Sequence, residues 1–400
     1  MANNIVQTMP PIHLVLVISV LRCPQTKKVG GAERVLTNLA NHWAELGYKV
    51  SIITLFSAEI PTFYPLHPSI TIIPCQQKLQ EQKTNVKNVV YHFGFLKKIF
   101  RKLKLSEYSN MILKYPELRK TLKQLKPNLV VSFIDLINIP VLCAMKGLSI
   151  PTVISERSDP AFSAMQLKKI KFMIYNWATI LVVQTQAIAN FFPKYLQAKI
   201  KIIPNYFNMP LVMRWRPKPT LQTIISVGRL DKEKDQTTLI KAFAKISLIN
   251  PKLQLLIYGE GSERPDLEQL IHDLNMQDKI ILKGVTDKVY QALIEADLFV
   301  LPSIYEGIPN ALGEAMSVGL PVICSNYVGN LSLVREGIDG RVFPVGDAEV
   351  LSQLLQELVD DPAQCSRLGL AATEVNKRFE RESILLKWDA VIDSCLKQGA

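Results

Sequence analysis

Short apolar runs alternate with amphipathic stretches along the first half of the chain. The runs at 13–20, 50–55, 70–74, 129–134, 152–155 and 180–184 are rich in β-branched and aliphatic residues and predict strands. Between the first two, Val35, Leu36, Leu39, Trp43 and Leu46 recur at helical spacing, which predicts a helix over 32–46. Gly47 stands where a C-terminal cap falls. Strands apolar at nearly every position, joined by helices, predict a parallel sheet covered on both faces. The pattern breaks at PNYFNMPLVMRWRPKP, 204–219, where four prolines predict a linker. Alternation then resumes. Strands are predicted at 222–227, 253–258, 279–282, 297–301 and 321–324, and helices at 236–248, 264–275, 287–295 and 310–318. A last helix at 379–396 carries Ile384, Leu385, Trp388, Val391, Ile392 and Leu396. The expected fold is α/β, with two Rossmann-like doubly wound domains facing a cleft.

Length agrees with that division, because 400 residues exceed one ordinary core. A chain 48% hydrophobic and 20% charged is globular, not disordered. The net charge of +12 favours an anionic partner: nucleic acid, a membrane surface or a phosphorylated substrate. Cys23, Cys75, Cys143, Cys324, Cys365 and Cys395 are scattered, and no two have CxxC spacing. They read as reduced thiols of a cytosolic protein, with neither a disulfide framework nor a zinc site. The apolar run at 12–21 lacks a basic flank and a small-residue cleavage site, and it is too short to span a bilayer. A buried first strand explains it, so membrane contact is expected to be peripheral.

Ligands of open α/β sheets sit at the carboxyl ends of strands, so the loops there carry the chemistry. After the first strand, Gly30 and Gly31 open a helix, where backbone can approach an anion; a flexible turn explains them equally well. After the strand at 222–227 come Arg229 and Lys234, two cations flanking a turn into a helix, a pattern that suits a diphosphate. The plainer reading is a solvated charged turn, and Lys232 is expected to be only that. Arg229 follows the strand directly and should point into the cleft. The Tyr258–Ser262 turn, YGEGS, is weak by itself but lies on the same rim.

EGIPNALGEAMSVGLPV, 306–322, sets Glu306 and Glu314 eight residues apart. Pro309 and Asn310 are placed to start a helix, and Leu312, Ala315 and Met316 form its apolar stripe. Glu314 lies away from Leu312 around the axis, so it is expected outside the core and near Glu306. Carboxylates there can accept from sugar hydroxyls or stabilise developing positive charge. An ordinary solvated pair is the plainer alternative.

The spacing E-G-x-P-N-x-x-x-E-A-M-x-x-G-L-P-V resembles the E-x7-E segment of the retaining glycosyltransferases of family four, which have the GT-B fold. GGAERVLTNLANHWAELGYKVSIIT resembles their first βαβ unit, and IIPNYFN their linker entry. SVGRLDKEKDQTTLIKAF resembles their phosphate loop. The resemblance covers nearly the whole chain and is weakest over 76–127. It implies an acceptor-binding domain at 1–204, a linker at 205–219, a donor-binding domain at 220–378, and a helix at 379–400 crossing back to the first domain. It also implies roles. Arg229 and Lys234 would hold the donor diphosphate, Glu314 the ribose, and Glu306 the donor sugar. Backbone at Lys283 and Gly284 would flank the base. Ile308, Pro309 and Asn310 would offer backbone amides, and Gly30 and Gly31 would face the phosphate from the other domain. Transfer would proceed with retention, by front-side attack. The chain departs from many members after its fifth strand, where Ser155-Glu-Arg-Ser-Asp-Pro160 stands in place of a histidine. That resembles enzymes extending lipid-linked or polysaccharide chains. Arg157 would lie near the sugar, with Glu156 and Asp159 as alternatives. No DxD triplet occurs, so no metal or other cofactor is expected.

Lys97, Lys98, Arg101, Lys102 and Lys104 interleave with Phe95, Ile99, Phe100 and Leu103, and Arg119, Lys120, Lys123 and Lys126 follow. The 93–126 segment suits an anionic membrane surface; a solvated helix over a core is the alternative. No nucleic-acid recognition motif is present. The expected partners are a nucleotide-sugar donor, a UDP-sugar, and a glycan or polyprenyl-linked acceptor. The expected location is cytoplasmic, peripheral on the inner face of the plasma membrane. A GT-B sugar-nucleotide epimerase and a catalytically silent GT-B partner subunit are the alternative functions.

Overall fold

Two parallel sheets follow one another along the chain. A computed structural model describes residues 11–21, 31–58, 62, 64–75, 115–157, 165–207, 216 and 220–399. The first sheet contains β1 (His13–Leu21), β2 (Lys49–Ala58), β3 (Thr71–Pro74), β4 (Leu129–Phe133), β5 (Thr152–Ser155), β6 (Ile180–Val183) and β7 (Ile200–Ile202). Its order is β3-β2-β1-β4-β5-β6-β7, with every pairing parallel. The second contains β8 (Thr223–Val227), β9 (Gln254–Tyr258), β10 (Ile280–Gly284), β11 (Leu298–Leu301), β12 (Val322–Ser325) and β13 (Arg341–Phe343), in the order β10-β9-β8-β11-β12-β13. Strand order reverses between β1 and β4 and between β8 and β11. A crevice opens at such points in doubly wound sheets.

The apolar runs became strands because burial on both faces demands it: β4, β5, β6, β11 and β12 are buried at every residue. The pattern missed β7 and β13, three-residue edge strands with half-exposed faces. The predicted first helix is observed at Gly31–Glu45, one residue early, and Gly47 takes a left-handed φ of 85° at its end.

The last helix, Arg381–Gly399, belongs to the first domain's core. Its Ile384, Leu385, Trp388, Val391 and Ile392 pack with Leu14, Leu36, Trp43 and Phe133. Trp43 and Trp388 meet edge to face at 6.3 Å, and Asp389 accepts from Trp43 Nε1 at 2.9 Å. Truncating a buried tryptophan of this kind costs about 3–5 kcal/mol. The chain therefore crosses between domains twice. The two crossings touch where Phe207 packs against Phe379, ring centroids 5.6 Å apart.

Cys75, Cys143, Cys324, Cys365 and Cys395 are free and buried; Cys23 lies outside the described residues. Among the described residues no helix is long and apolar enough to cross a membrane. Most of the basic 93–126 segment, including Lys97 to Lys104, also lies outside them. Its described end is the helix Tyr115–Leu125, which buries Leu118 and Leu122 in the first domain's core. Arg119 there donates to the carbonyls of Ala144 and Lys146, so it closes the end of the helix Asp135–Met145.

Candidate active site

The second domain supplies one wall of the cleft through two laced turns. Gly228 N donates to Tyr258 O at 2.9 Å, and Leu230 N to Glu260 O at 3.0 Å. A Cβ on Gly259, whose φ is 144°, would lie 1.8 Å from Gly228 O, so that turn admits only glycine. Arg229 leaves β8 into the cleft lining, as expected. Its guanidinium is paired with Asp231 and Glu233 and its side chain is 48% exposed. Lys232 is exposed. Lys234 closes a short 3-10 turn before the helix Gln236–Ser247, which Asp235 caps from a left-handed φ of 46°. The Lys234 ammonium meets Glu306, which also accepts from Ser303 Oγ at 3.0 Å. Both cations expected at the diphosphate thus have carboxylate partners in this state.

The helix Asn310–Ser317 follows Pro309, as its sequence requires. Leu312, Ala315 and Met316 are fully buried against β11 and β12. Gly313 sits under the Phe207 ring, where a Cβ would come within 2.2 Å. Glu314 corrects an expectation. It does avoid its own domain's core, but it is only 2% exposed, because the first domain covers it. Arg34, from the helix Gly31–Glu45, meets it as an ion pair. Burial pushes the Glu314 carboxyl above its usual range and Arg34 pulls it back, with a net rise. Glu306 and Glu314 therefore have separate partners and do not act as one exposed pair.

A row of polar contacts joins the domains beside this helix. Gln184 Oε1 accepts from Ile308 N at 3.1 Å, and Asn205 Nδ2 donates to Asn310 Oδ1 at 2.7 Å. A Cβ on Gly31 would lie 2.8 Å from Asn310 Nδ2, so Gly31 allows the close approach. These contacts revise the amides expected to face the donor. Ile308 N is already used by Gln184, and Pro309 has no N–H, which leaves Asn310. Gly30 lies outside the described residues. Val285, Thr286 and Asp287 line the cleft, whereas Lys283 and Gly284, the backbone expected to flank the base, are not among its lining residues.

The segment after β5 divides its residues between two tasks. Glu156 turns into the first domain, where it takes Lys171 Nζ at 2.7 Å and Tyr175 Oη at 2.9 Å. Burial pulls Lys171 down, but Glu156 and Asp135 raise it above the ordinary lysine value. Arg157 turns to the domain seam. Its Nη1 donates to Asn205 Oδ1 at 2.6 Å, and its guanidinium lies over the rings of Phe133 and Trp388. Its Nε and Nη2 are buried without a hydrogen-bond partner among the described residues, and burial lowers its pKa to about 9. Asp159 lies outside the described residues.

The result is a cleft of about 370 Å³ between the carboxyl ends of both sheets. Gly31, Arg34, Asn38 and Tyr64 line it from one side; Gly228, Arg229, Tyr258, Tyr290 and Glu314 line it from the other. The sequence reading missed Arg34, Asn38, Tyr64 and Tyr290. A signal existed for two of them: Gly31, Arg34 and Asn38 stand three and seven apart, on one face of a helix.

Residues 29–209 match the family described as Glycosyltransferase Family 4, and residues 214–375 match Glycosyl transferases group 1. A relative described as an uncharacterized glycosyltransferase, from Methanocaldococcus jannaschii, is 30% identical over 334 residues, covering 69% of this chain and 82% of its own. The chain belongs to glycosyltransferase family 4. A second relative of this family 4 enzyme, from Campylobacter jejuni, is 26% identical and covers 91% of this chain and 95% of its own. It is GalNAc-alpha-(1->4)-GalNAc-alpha-(1->3)-diNAcBac-PP-undecaprenol alpha-1,4-N-acetyl-D-galactosaminyltransferase. Among solved structures, Anabaena Alr3699/HepE in complex with UDP and glucose superposes with a TM-score of 0.76 at 16% identity, covering 95% of this chain and 99% of that one. The glycosyltransferase therefore has the GT-B fold.

Proposed function

We propose that this glycosyltransferase moves a hexose from a UDP-sugar to a glycan or polyprenyl-linked acceptor, with retention at the anomeric carbon. The observation that carries the reading is the meeting of Arg229, Glu314 and the 285–287 turn with Gly31 and Arg34 of the facing domain, in one cleft. In this reading residues 220–378 bind the donor and 1–204 the acceptor. The base lies against the 285–287 turn, the ribose hydroxyls donate to Glu314, and the diphosphate lies toward Arg229 and Lys234. The undecaprenol-linked acceptor in the Campylobacter relative's name and the UDP bound to the Anabaena protein support the choice of substrates.

The acceptor hydroxyl attacks the anomeric carbon from the face the diphosphate leaves. The carbon–oxygen bond to the diphosphate breaks, and its electron pair stays with the phosphate. The hydroxyl proton passes to the departing phosphate oxygen. Arg229 and Lys234 stabilise the charge that builds there, which gives the enzyme its electrostatic advantage without a metal. Glu306 lies beside Lys234 and stabilises the cationic sugar. Arg157 reaches the sugar end through Asn205 and Asn310. The basic 93–126 segment holds the enzyme peripherally on an anionic cytoplasmic membrane face, near a lipid-linked acceptor.

The test is thermal stabilisation by a panel of UDP-, GDP- and ADP-sugars, followed by the anomeric configuration of the product by NMR. Selective stabilisation by UDP-sugars and a retained configuration are expected. Stabilisation only by another nucleotide class, or an inverted product, would refute the corresponding half of the reading.

A further inference from the structure

Arg34 has no role in the diphosphate chemistry above, yet it is the cation that faces Glu314 among the described residues. It comes from the other domain. Its helix comes close to the second domain, where a Cβ on Gly31 would lie 2.8 Å from the Asn310 side-chain amide. We propose that Arg34 is a positioning residue: across the seam it orients the Glu314 carboxylate and keeps it ionised, so the ribose site is complete only when the two domains meet. This rests on the assignment of Glu314 to the ribose.

An ionised carboxylate accepts hydrogen bonds through both oxygens, and a protonated one gives up part of that capacity to become a donor. Burial removes the water that would otherwise favour the charge, so an isolated Glu314 would bind a proton. The groups facing it are Arg34, Tyr64 from the loop before β3, and Tyr290 from the helix Val289–Glu295, with Glu33 beside Tyr64. Burial pushes Tyr64 up to about 12 and also raises Tyr290, so both phenols are neutral near pH 7. Arg34 alone in this group supplies positive charge. Burial works against its charge, but Glu314 holds its pKa above the usual arginine value. The guanidinium uses one carboxylate oxygen, Oε1, through Nη1, so a ligand can share the group.

The experiment is calorimetric titration of the full chain with UDP between about pH 6 and pH 8, a range in which an uncompensated buried carboxyl titrates. Wild type should bind with nearly constant affinity. Arg34→Met should bind at least about tenfold more weakly, because one partner of a buried charge pair is gone. Its deficit should grow as pH falls, since the unpaired Glu314 takes up a proton. Arg34→Lys should recover most of the affinity, and Arg34→Met should add little to Glu314→Gln. Arg34→Gln, which removes the charge but keeps a polar side chain of similar reach, should show the same pH-dependent loss even if Arg34→Met fails to fold. A flat pH profile in the uncharged Arg34 variants overturns the positioning role. Additive losses in Arg34→Met and Glu314→Gln overturn it too, and mark Arg34 as a direct phosphate contact. Wild-type affinity in Glu314→Gln would instead overturn the ribose assignment, and the positioning role with it.

Discussion

Glu306 and Glu314 stand eight residues apart, and their surroundings share almost nothing. Glu306 is in a loop and finds Lys234 and Ser303 within its own domain. Glu314 is on a helix and finds Arg34 on the opposite domain. The first pair does not depend on how the domains meet. The second exists only when they touch. A carboxylate with a local partner suits chemistry at one spot, whereas one with a remote partner reports on the arrangement of the whole molecule. The lesson is that spacing identifies acidic residues, but the partner decides what each can do.

The sharpest way to break the comparison is to remove the local cations. Lys234→Ala and Arg229→Ala should each lower turnover by about a hundredfold or more, as the loss of a preorganised charge contact does. Lys234→Ala should be the more damaging, because it also strands the Glu306 carboxylate. Near-normal initial rates in both variants would remove the diphosphate from this loop.

Next in size is the contrast between the acids themselves. Glu306→Gln should lower kcat by about tenfold or more with little change in KM for the donor, because its charge acts where positive charge develops. Glu314→Ala should raise KM for the donor by about tenfold and leave kcat closer to wild type, because ribose contacts exist in both ground and transition states. Steady-state rates with calorimetry separate the two, and the opposite split would mean that the roles are exchanged.

A smaller effect belongs to the basic 93–126 segment. Replacing Lys97, Lys98, Arg101, Lys102 and Lys104 with Gln should release the enzyme from anionic vesicles and leave UDP binding unchanged. Each such cation is worth about 1 kcal/mol at an anionic surface, an attraction that fades as salt shortens the screening length from roughly 10 Å at 0.1 M to about 3 Å at 1 M. Co-sedimentation at low and high salt is the measurement, and wild-type protein that ignores vesicles at low salt would sink the proposal. The smallest effect is expected from EDTA, which should leave the transfer rate unchanged if Arg229 and Lys234 carry the phosphate charge as proposed. Loss of activity restored by manganese would contradict that.

The sheets were legible because parallel strands buried on both faces must be apolar at nearly every position, and the sequence displays this from Leu14 to Cys324. Three-residue edge strands such as Ile200–Ile202 leave too short and too polar a trace. Turn chemistry and family resemblance pointed to Arg229 and Glu314, and both line the cleft; Lys234 and Glu306, pointed to in the same way, pair with each other outside its lining. The surroundings of Glu314 were not. Helical geometry correctly turned it away from its own sheet, but a pattern within one helix says nothing about a second domain arriving on the other face. The partners of Arg34 and Gln184 could not be read for the same reason: their contacts are set by docking and not by local periodicity. The bound state of the Ile308 amide likewise depends on Gln184, a residue 124 positions away.

The return of the helix Arg381–Gly399 to the first domain has a consequence for biosynthesis. Trp43, Leu36 and Phe133 are translated before the second domain, but side chains that cover them, Trp388 and Ile384 among them, are translated after it. The domain made first is therefore finished last. Until the final helix is released, its apolar face is open to solvent or to a chaperone, while the domain made second can already close its own core. The long sequence separation of those contacts slows completion further. Nascent chains whose emerged part ends near residue 380 should hold a closed second core and an incomplete first one.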